Sequence, residues 1–144
     1  MPVERTGLLT AKLLMLLPAL ALALRLAGLR RVYGTLKQLS RGAAPTESTS
    51  TEAESTSTEA ERVAAAVVHV NRRVLPYQSR CLLESLAIWW LLRRRGIAAD
   101  LVLGVRTIMG PFEAHAWVEH KGRPLNDIPS VRSVYESFVL DPAP

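Results

Sequence analysis

The chain has 144 residues, 49% of them apolar and 6% aromatic, which suits one compact domain with an extension. Its formal net charge is +5, but the basic residues are scattered or clustered at helix ends and form no aromatic–basic platform, so the charge favours an acidic partner or a membrane surface over a nucleic acid. A single cysteine excludes an internal disulfide and a multi-cysteine zinc site, and it fits a reducing, cytoplasmic compartment.

The first predicted element is a helix in the apolar residues 8–29. The longest uninterrupted apolar run inside it, residues 13–24, is twelve residues long, whereas a membrane-spanning helix needs about 20. A secretory signal fits poorly because Glu4 lies in the segment that should be basic, and arginines follow the apolar run. We expect a helix with a candidate kink at Pro18 that packs on the body of the protein, on a partner or on a membrane face; membrane association is not favoured.

A basic stretch without acidic residues comes next. It contains Arg25, Arg30, Arg31, Lys37 and Arg41. One interpretation is the solvated face of a second helix, and the other is a docking surface.

An identical tandem repeat divides the chain. The sequence STSTEAE at residues 48–54 recurs at residues 55–61. Its Ser, Thr and Glu residues bury too little apolar surface to offset the entropy cost of ordering, which predicts a flexible linker over residues 46–61. The linker would separate a helical N-terminal extension, residues 1–45, from a domain formed by residues 62–144.

That domain is predicted to begin with two helices. The first is residues 62–75, and the second is residues 81–95, which is apolar nearly all round and therefore buried. Ser79 is a candidate N-cap and Gly96 a natural C-terminal stop. Cys81 then lies in the first turn, where backbone N–H groups and the helix dipole favour the thiolate.

Three antiparallel strands are predicted at residues 97–106, 114–119 and 123–127. We expect residues 120–122 to form a three-residue loop between the last two strands. In that register His115 faces Asp127 directly, with Cβ atoms about 4.5–5.5 Å apart, and Glu119 faces Arg123. A two-residue loop would place His115 and Asp127 on opposite faces of the sheet.

Cys81, His115 and Asp127 follow the order of nucleophile, base and orienting acid in a cysteine hydrolase or acyl transferase. Glu84 and Glu113 are alternative carboxylates. These residues lack the tight ligand-pair spacing of a zinc site, and no cofactor is expected. The alternative is that Cys81 is a packed small side chain in a non-catalytic peptide-binding module.

Five short segments, together with Asp127, form a recognisable series. They are SRCL at residues 79–82, SLA at 85–87, LLRRRG at 91–96, LGVR at 103–106 and AHAWVE at 114–119. In this order and at these separations they resemble the leader peptidases of lasso-peptide biosynthesis, the B-protein family. The resemblance covers roughly residues 62–140.

The resemblance implies an α+β fold of the transglutaminase-like, papain-related superfamily, with a central Cys-bearing helix packed on a small antiparallel sheet. It implies a cysteine peptidase that removes the leader from a ribosomally synthesised precursor, with Cys81, His115 and Asp127 as its triad. The Cys81 backbone N–H is a candidate oxyanion donor, and the Gln78 side chain is a second. A transglutaminase or amidase that passes the acyl group to an amine has the same triad and stays open as an alternative.

Residues 1–45 are too few for the leader-recognition module that is fused to some family members. The resemblance therefore implies a split form that needs a separate leader-recognition protein. Its other implied partners are the leader of the precursor peptide and an ATP-dependent lasso cyclase. The heptapeptide repeat has no counterpart in this resemblance.

Overall fold

The computed structural model describes residues 2–40, 50–74, 80–107 and 110–140. The described elements are, in chain order, α1 (Pro2–Leu39), α2 (Ser50–Val74), α3 (Arg80–Arg94), β1 (Asp100–Arg106), β2 (Glu113–His120), β3 (Arg123–Pro124), α4 (Val131–Val134) and β4 (Glu136–Val139). The strands form one antiparallel sheet in the order β3-β2-β1-β4. The predicted α+β class, with helices packed on a small antiparallel sheet, is confirmed.

Helix α3 is the centre of the protein, as its all-round apolar sequence predicts. It packs against α1, α2, β1 and β2, and side chains such as Leu86 and Leu92 are fully buried. Gly96 terminates the helix with a positive φ of 73°. Its N–H bonds to the Arg93 carbonyl, and the Ile97 N–H bonds to the Leu92 carbonyl, both at 3.0 Å. These two bonds form the Schellman cap that a C-terminal glycine favours.

Helix α1 packs on the body of the protein. Leu13, Leu17 and Leu20 are buried in the same hydrophobic core as α2 and α3. The helix continues through Pro18 and breaks instead at Gly28, which has φ 77° and ψ 163°. The break lies at the residue that adopts a positive φ at least cost, and the kink at Pro18 stays a prediction.

The second half of α1 is tied to the far end of the sheet. Tyr33 stacks on Trp89 with ring centroids 4.7 Å apart, and its hydroxyl donates to the Leu140 carbonyl at 2.6 Å. Helices α1, α2 and α3 thus share one core. The predicted division at residues 45 and 61 does not coincide with separate cores.

The heptapeptide repeat is helical over its described part. Helix α2 begins at Ser50, so the flexible-linker prediction is wrong for residues 50–61, while residues 46–49 lie outside the described residues. The hydroxyls of Thr56 and Ser57 donate to the backbone carbonyls four residues earlier, at 2.6 and 2.9 Å. Ala60 is fully buried.

The repeat folds because it continues an amphipathic helix. Val63 and Val67 are buried against the core, and they hold the helix that the repeat extends in the N-terminal direction. An isolated segment of Ser, Thr and Glu residues cannot offset the free-energy cost of helix nucleation. Extending an existing helix avoids that cost. The turn between β2 and β3 adds a tertiary contact, since Lys121 Nζ donates to the Ala53 carbonyl at 3.1 Å.

The hairpin between β2 and β3 has a two-residue turn. Lys121 and Gly122 have φ values of 51° and 75°, as in a type I′ turn, and His120 pairs with Arg123. The predicted three-residue loop and the facing pair of Glu119 and Arg123 are therefore wrong. The prediction assigned a left-handed conformation to Gly122 alone, whereas Lys121 adopts one as well.

The outer face of the sheet carries a second, smaller core. It consists of Val102, Trp117 and Val131, with Tyr135 packed beside them. Helix α4 and strand β4, for which the sequence analysis made no prediction, complete this face, and β4 pairs with β1. Gly104 lies beneath it, opposite His115 in the β1–β2 register.

Replacing Gly104 by alanine is expected to destabilise the sheet. A Cβ atom there would lie 2.7 Å from Tyr135 Cβ and 2.8 Å from Trp117 Cζ3. Overpacking of this kind costs about 1–3 kcal/mol of unfolding free energy, measurable by urea denaturation. Gly34→Ala is the control, since its Cβ would meet nothing within 4 Å. Equal stability of the two variants would contradict the close approach at Gly104.

Candidate active site

Cys81 is the second residue of α3, the position that the sequence predicts for it. The proposed cap Ser79 and the second oxyanion candidate Gln78 lie outside the described residues. The thiol is free and partly buried. The backbone N–H groups of Ala116 and Leu82 lie near enough to its sulfur to lower the pKa of the thiol. The nucleophile candidate therefore lies between its own helix and strand β2.

Helix α3 closes an edge of β2 that β3 leaves open. Strand β3 pairs only with the last residues of β2, so the backbone at Ala116 and Val118 needs other partners. Ser85 Oγ donates to the Ala116 carbonyl at 3.0 Å. The Val118 carbonyl accepts the Leu125 N–H at 2.8 Å, and the Val118 N–H donates to Asn126 Oδ1 at 2.9 Å. The Asn126 side chain thus takes the place of a strand residue.

The side-chain amide of Asn126 also joins α3, the helix that carries Cys81, to the loop after β3. Asn126 Nδ2 donates to Glu84 Oε1 at 3.2 Å and to Ser85 Oγ at 3.0 Å. The second oxygen of Glu84 accepts a hydrogen bond from Asn71 Nδ2 at 3.1 Å. Ser85 and Asn71 are fully buried. Glu84, an alternative orienting carboxylate in the sequence analysis, serves this structural network instead.

His115 and Asp127 meet although the predicted register is wrong. Because β3 ends at Pro124, Asp127 is not bound by the alternation of a strand, and its Oδ2 hydrogen-bonds to His115 Nε2. Its Oδ1 accepts the Ile128 N–H at 2.7 Å. The His115 ring is also hydrogen-bonded to the Cys81 thiol, and Nδ1 is the nitrogen that Asp127 leaves available.

Aromatic rings fix the His115 imidazole. Its centroid lies 5.9 Å from that of Trp117 and 5.2 Å from that of Tyr135. The Tyr135 hydroxyl donates to Glu113 at 2.9 Å, and Glu113 also forms an ion pair with Arg106. Glu113, the other alternative carboxylate, therefore has partners of its own, and Asp127 is the carboxylate that contacts the ring.

The buried carboxylate of Glu119 holds the Trp117 side chain in place. Glu119 is 2% exposed and accepts a hydrogen bond from Trp117 Nε1 at 2.8 Å. It also forms a bidentate ion pair with Arg132, whose Nε and Nη2 nitrogens each donate to one carboxylate oxygen at 2.7 Å. Burial acts to raise the pKa of Glu119, but the Arg132 and Trp117 hydrogen bonds and the Arg132 charge lower it overall. The strand pattern pairs Glu119 with Arg123 and does not reveal Arg132, because the alternation of residues along a strand gives no information about a helix that packs on the sheet later in the chain.

The electrostatics of the site favour a thiolate–imidazolium pair. The hydrogen bond with His115 is the main cause that lowers the pKa of Cys81; burial opposes it, and the Ala116 and Leu82 N–H groups assist it. The hydrogen bond with Cys81 is likewise the main cause that raises the pKa of His115 to about 9; burial opposes it, and Asp127 assists it. The sequence predicts an acidic thiol from its position at the helix terminus, whereas the largest contribution comes from the His115 imidazole.

The reactivity of the thiol should depend on His115. In the wild type we expect rapid alkylation by iodoacetamide at a pH below the ordinary thiol pKa of about 8.5, because the pair persists from the lowered pKa of Cys81 up to the raised pKa of His115, about 9. His115→Ala should raise the pKa of the thiol and slow alkylation at that pH by roughly tenfold or more. His69→Ala, on an exposed face of α2, is the control. Identical pH profiles for wild type and His115→Ala would contradict the pairing.

Asn126 should stabilise both the fold and the site. Asn126→Ala removes the acceptor for the Val118 N–H and both donors to α3, which should cost about 1–3 kcal/mol in chemical denaturation. It should also slow thiol alkylation at acidic pH, because the loop that carries Asp127 loses its anchor. Ser130→Ala, exposed in the same connection, is the control and should change neither quantity. An unaltered unfolding free energy in Asn126→Ala would show that the bridge contributes nothing.

The chain is similar to a known protein over part of its length, and it matches the profile of a protein family. The Microcin J25-processing protein McjB of Escherichia coli is 46% identical over 56 residues, a stretch that covers 39% of this chain and only 26% of the relative. No solved structure gives a significant match. The sequence profile of the transglutaminase-like superfamily matches residues 16–139, from the buried face of α1 to the last strand. The chain therefore belongs to the transglutaminase-like superfamily, which is the assignment that the resemblance in its sequence implies.

Proposed function

We propose that this chain is a cysteine peptidase that removes the leader from a ribosomally synthesised precursor during lasso-peptide biosynthesis. The observation that carries the proposal is the hydrogen bond of His115 to Asp127 beside the Cys81 thiol, which has the largest influence on the pKa of His115, at the N-terminus of a buried helix. The partial identity to McjB, which by name processes microcin J25, supports a peptide precursor as the substrate.

In the first half of the proposed reaction, the Cys81 thiolate attacks the carbonyl carbon at the leader–core junction and forms a carbon–sulfur bond. The His115 imidazolium donates its proton to the departing amine of the core as the carbon–nitrogen bond breaks. The Cys81 backbone N–H is our proposed oxyanion donor, with Gln78 as a second candidate. The leader remains attached to Cys81 as a thioester.

In the second half, neutral His115 takes a proton from water, and the hydroxyl attacks the thioester carbonyl. The carbon–sulfur bond breaks, the leader leaves as a carboxylic acid, and the thiolate–imidazolium pair is restored. Asp127 holds the ring by Nε2 and favours its charged form, so Nδ1 faces the sulfur in both steps. Because the first half needs the imidazolium, activity should fall as the pH rises through about 9.

The proposal extends to the setting of the reaction. A separate leader-recognition protein would present the leader, and an ATP-dependent cyclase would act on the released core. We place the protein in the cytoplasm, where a single reactive thiol stays reduced.

Two other functions use the same residues. A transglutaminase or amidase would pass the leader acyl group to an amine instead of water. A non-catalytic module would bind the peptide and leave the thiol unreactive. The lowered pKa of Cys81 and its contact with His115 favour an enzyme over such a module.

A cleavage assay tests the proposal. A candidate precursor is incubated with the full chain, with and without its recognition partner, and the masses of the products are measured by mass spectrometry. We expect free leader acid and a core with a free amine. Cys81→Ala should abolish cleavage, His115→Ala should reduce it by roughly 10²–10⁴-fold, and Asp127→Ala should leave residual activity. His69→Ala is the control and should cleave like the wild type.

Each product distinguishes one of the functions. A leader joined to an added amine would identify an acyl transferase. Uncleaved precursor that still binds, together with an ordinary rate of thiol alkylation, would identify a binding module and overturn the peptidase proposal.

A further inference from the structure

Helix α1 has two opposite apolar faces before its break at Gly28. One face carries Leu13, Leu17 and Leu20 into the core. The opposite face is exposed, and its large apolar side chains are Leu8 (60% exposed), Met15 (79%), Leu22 (58%) and Leu26 (79%). At 3.6 residues per turn, spacings of seven, seven and four keep these four side chains on one arc of the helix.

Cations border this apolar arc. Lys12 and Arg25 are exposed and lie on its two sides, about 80° and 60° from Leu22 on a helical wheel of 100° per residue. Beyond the break, Arg30 and Arg31 are also exposed. Residues 7–39 contain five basic residues and not one carboxylate. An apolar stripe with basic borders is the pattern of a helix that lies in the interface of an anionic membrane.

The packing of α1 is incompatible with a spanning orientation. Residues 7–39 are long and apolar enough to cross a membrane by length and composition. However, Leu13 and Leu17 are completely buried in the common core, and Tyr33 bonds to the Leu140 carbonyl. Inserting the helix across a bilayer would remove these contacts, whereas lying flat on the bilayer leaves them intact.

We propose that the exposed face of α1, formed by Leu8, Met15, Leu22 and Leu26 with Lys12 and Arg25 at its borders, binds the surface of an anionic membrane. The apolar side chains enter the acyl boundary, and the cations contact lipid phosphates. A symmetric contact with a second copy fits less well, because residues 7–39 of each copy would bring five cations together without a carboxylate among them to pair with.

Vesicle flotation of the full chain tests this proposal. We expect the chain to float with vesicles of equimolar phosphatidylcholine and phosphatidylglycerol, to bind vesicles of phosphatidylcholine alone far more weakly, and to dissociate from the anionic vesicles in high salt. The double variant Met15→Gln, Leu22→Gln should partition roughly tenfold less. The double variant Lys12→Gln, Arg25→Gln should lose the preference for the anionic lipid. Phe138→Gln, which changes an apolar side chain of similar exposure (53%) on β4, is the control.

Thiol alkylation and sedimentation complete the test. All variants should keep the wild-type alkylation rate, which shows that each is folded and separates this proposal from the peptidase assay. Failure to float with either vesicle, or flotation unchanged in both double variants, would overturn the proposal. Self-association that Met15→Gln, Leu22→Gln abolishes, without vesicle binding by the wild type, would instead assign the face to a second copy.

Discussion

The rest of the structure depends on the docking of α3 against an open edge of β2. Strand β3 is two residues long, and beyond it the polar backbone of β2 would meet no ladder partner. Ser85 and the side chain of Asn126 bond to that backbone, and they hold the cysteine helix at a fixed position along the strand. The thiol, the imidazole and the carboxylate lie around this junction, so the packing that satisfies the sheet edge also assembles the candidate site.

Local patterns predicted the parts of this junction that depend on neighbours in sequence. The apolar residues of α3, its glycine cap and the position of Cys81 in the first turn follow from one short segment. Strand β2 is also predicted from one short segment. The candidate carboxylate is identified from its residue type and its place shortly after that strand. The hairpin register failed because Lys121 accepts a positive φ, a choice that one glycine in a turn does not determine. His115 and Asp127 still meet, since Asp127 lies beyond the strand and a loop positions it.

Contacts between distant segments account for what the sequence could not predict. The repeat is unfavourable as an isolated segment, yet it is helical because the helix that it extends is buried against α3. Asn126 and Arg132 gave no signal by type or spacing, because their roles exist only once α3 and α4 lie against the sheet. Asparagine directly before the candidate acid is a feature that could be looked for in related chains.

The bond from Tyr33, in the second half of α1, to the Leu140 carbonyl joins residues 107 positions apart. Leu140 also donates its N–H to the Leu101 carbonyl at 2.8 Å, so the residue that follows β4 joins the second half of α1 to β1. During synthesis on the ribosome, the leucine-rich first helix emerges well before its closing partner exists. Helices α2 and α3 can cover its core face as they emerge, but the bond from Tyr33 forms only after β4 is released, so this closure is a late, long-range event.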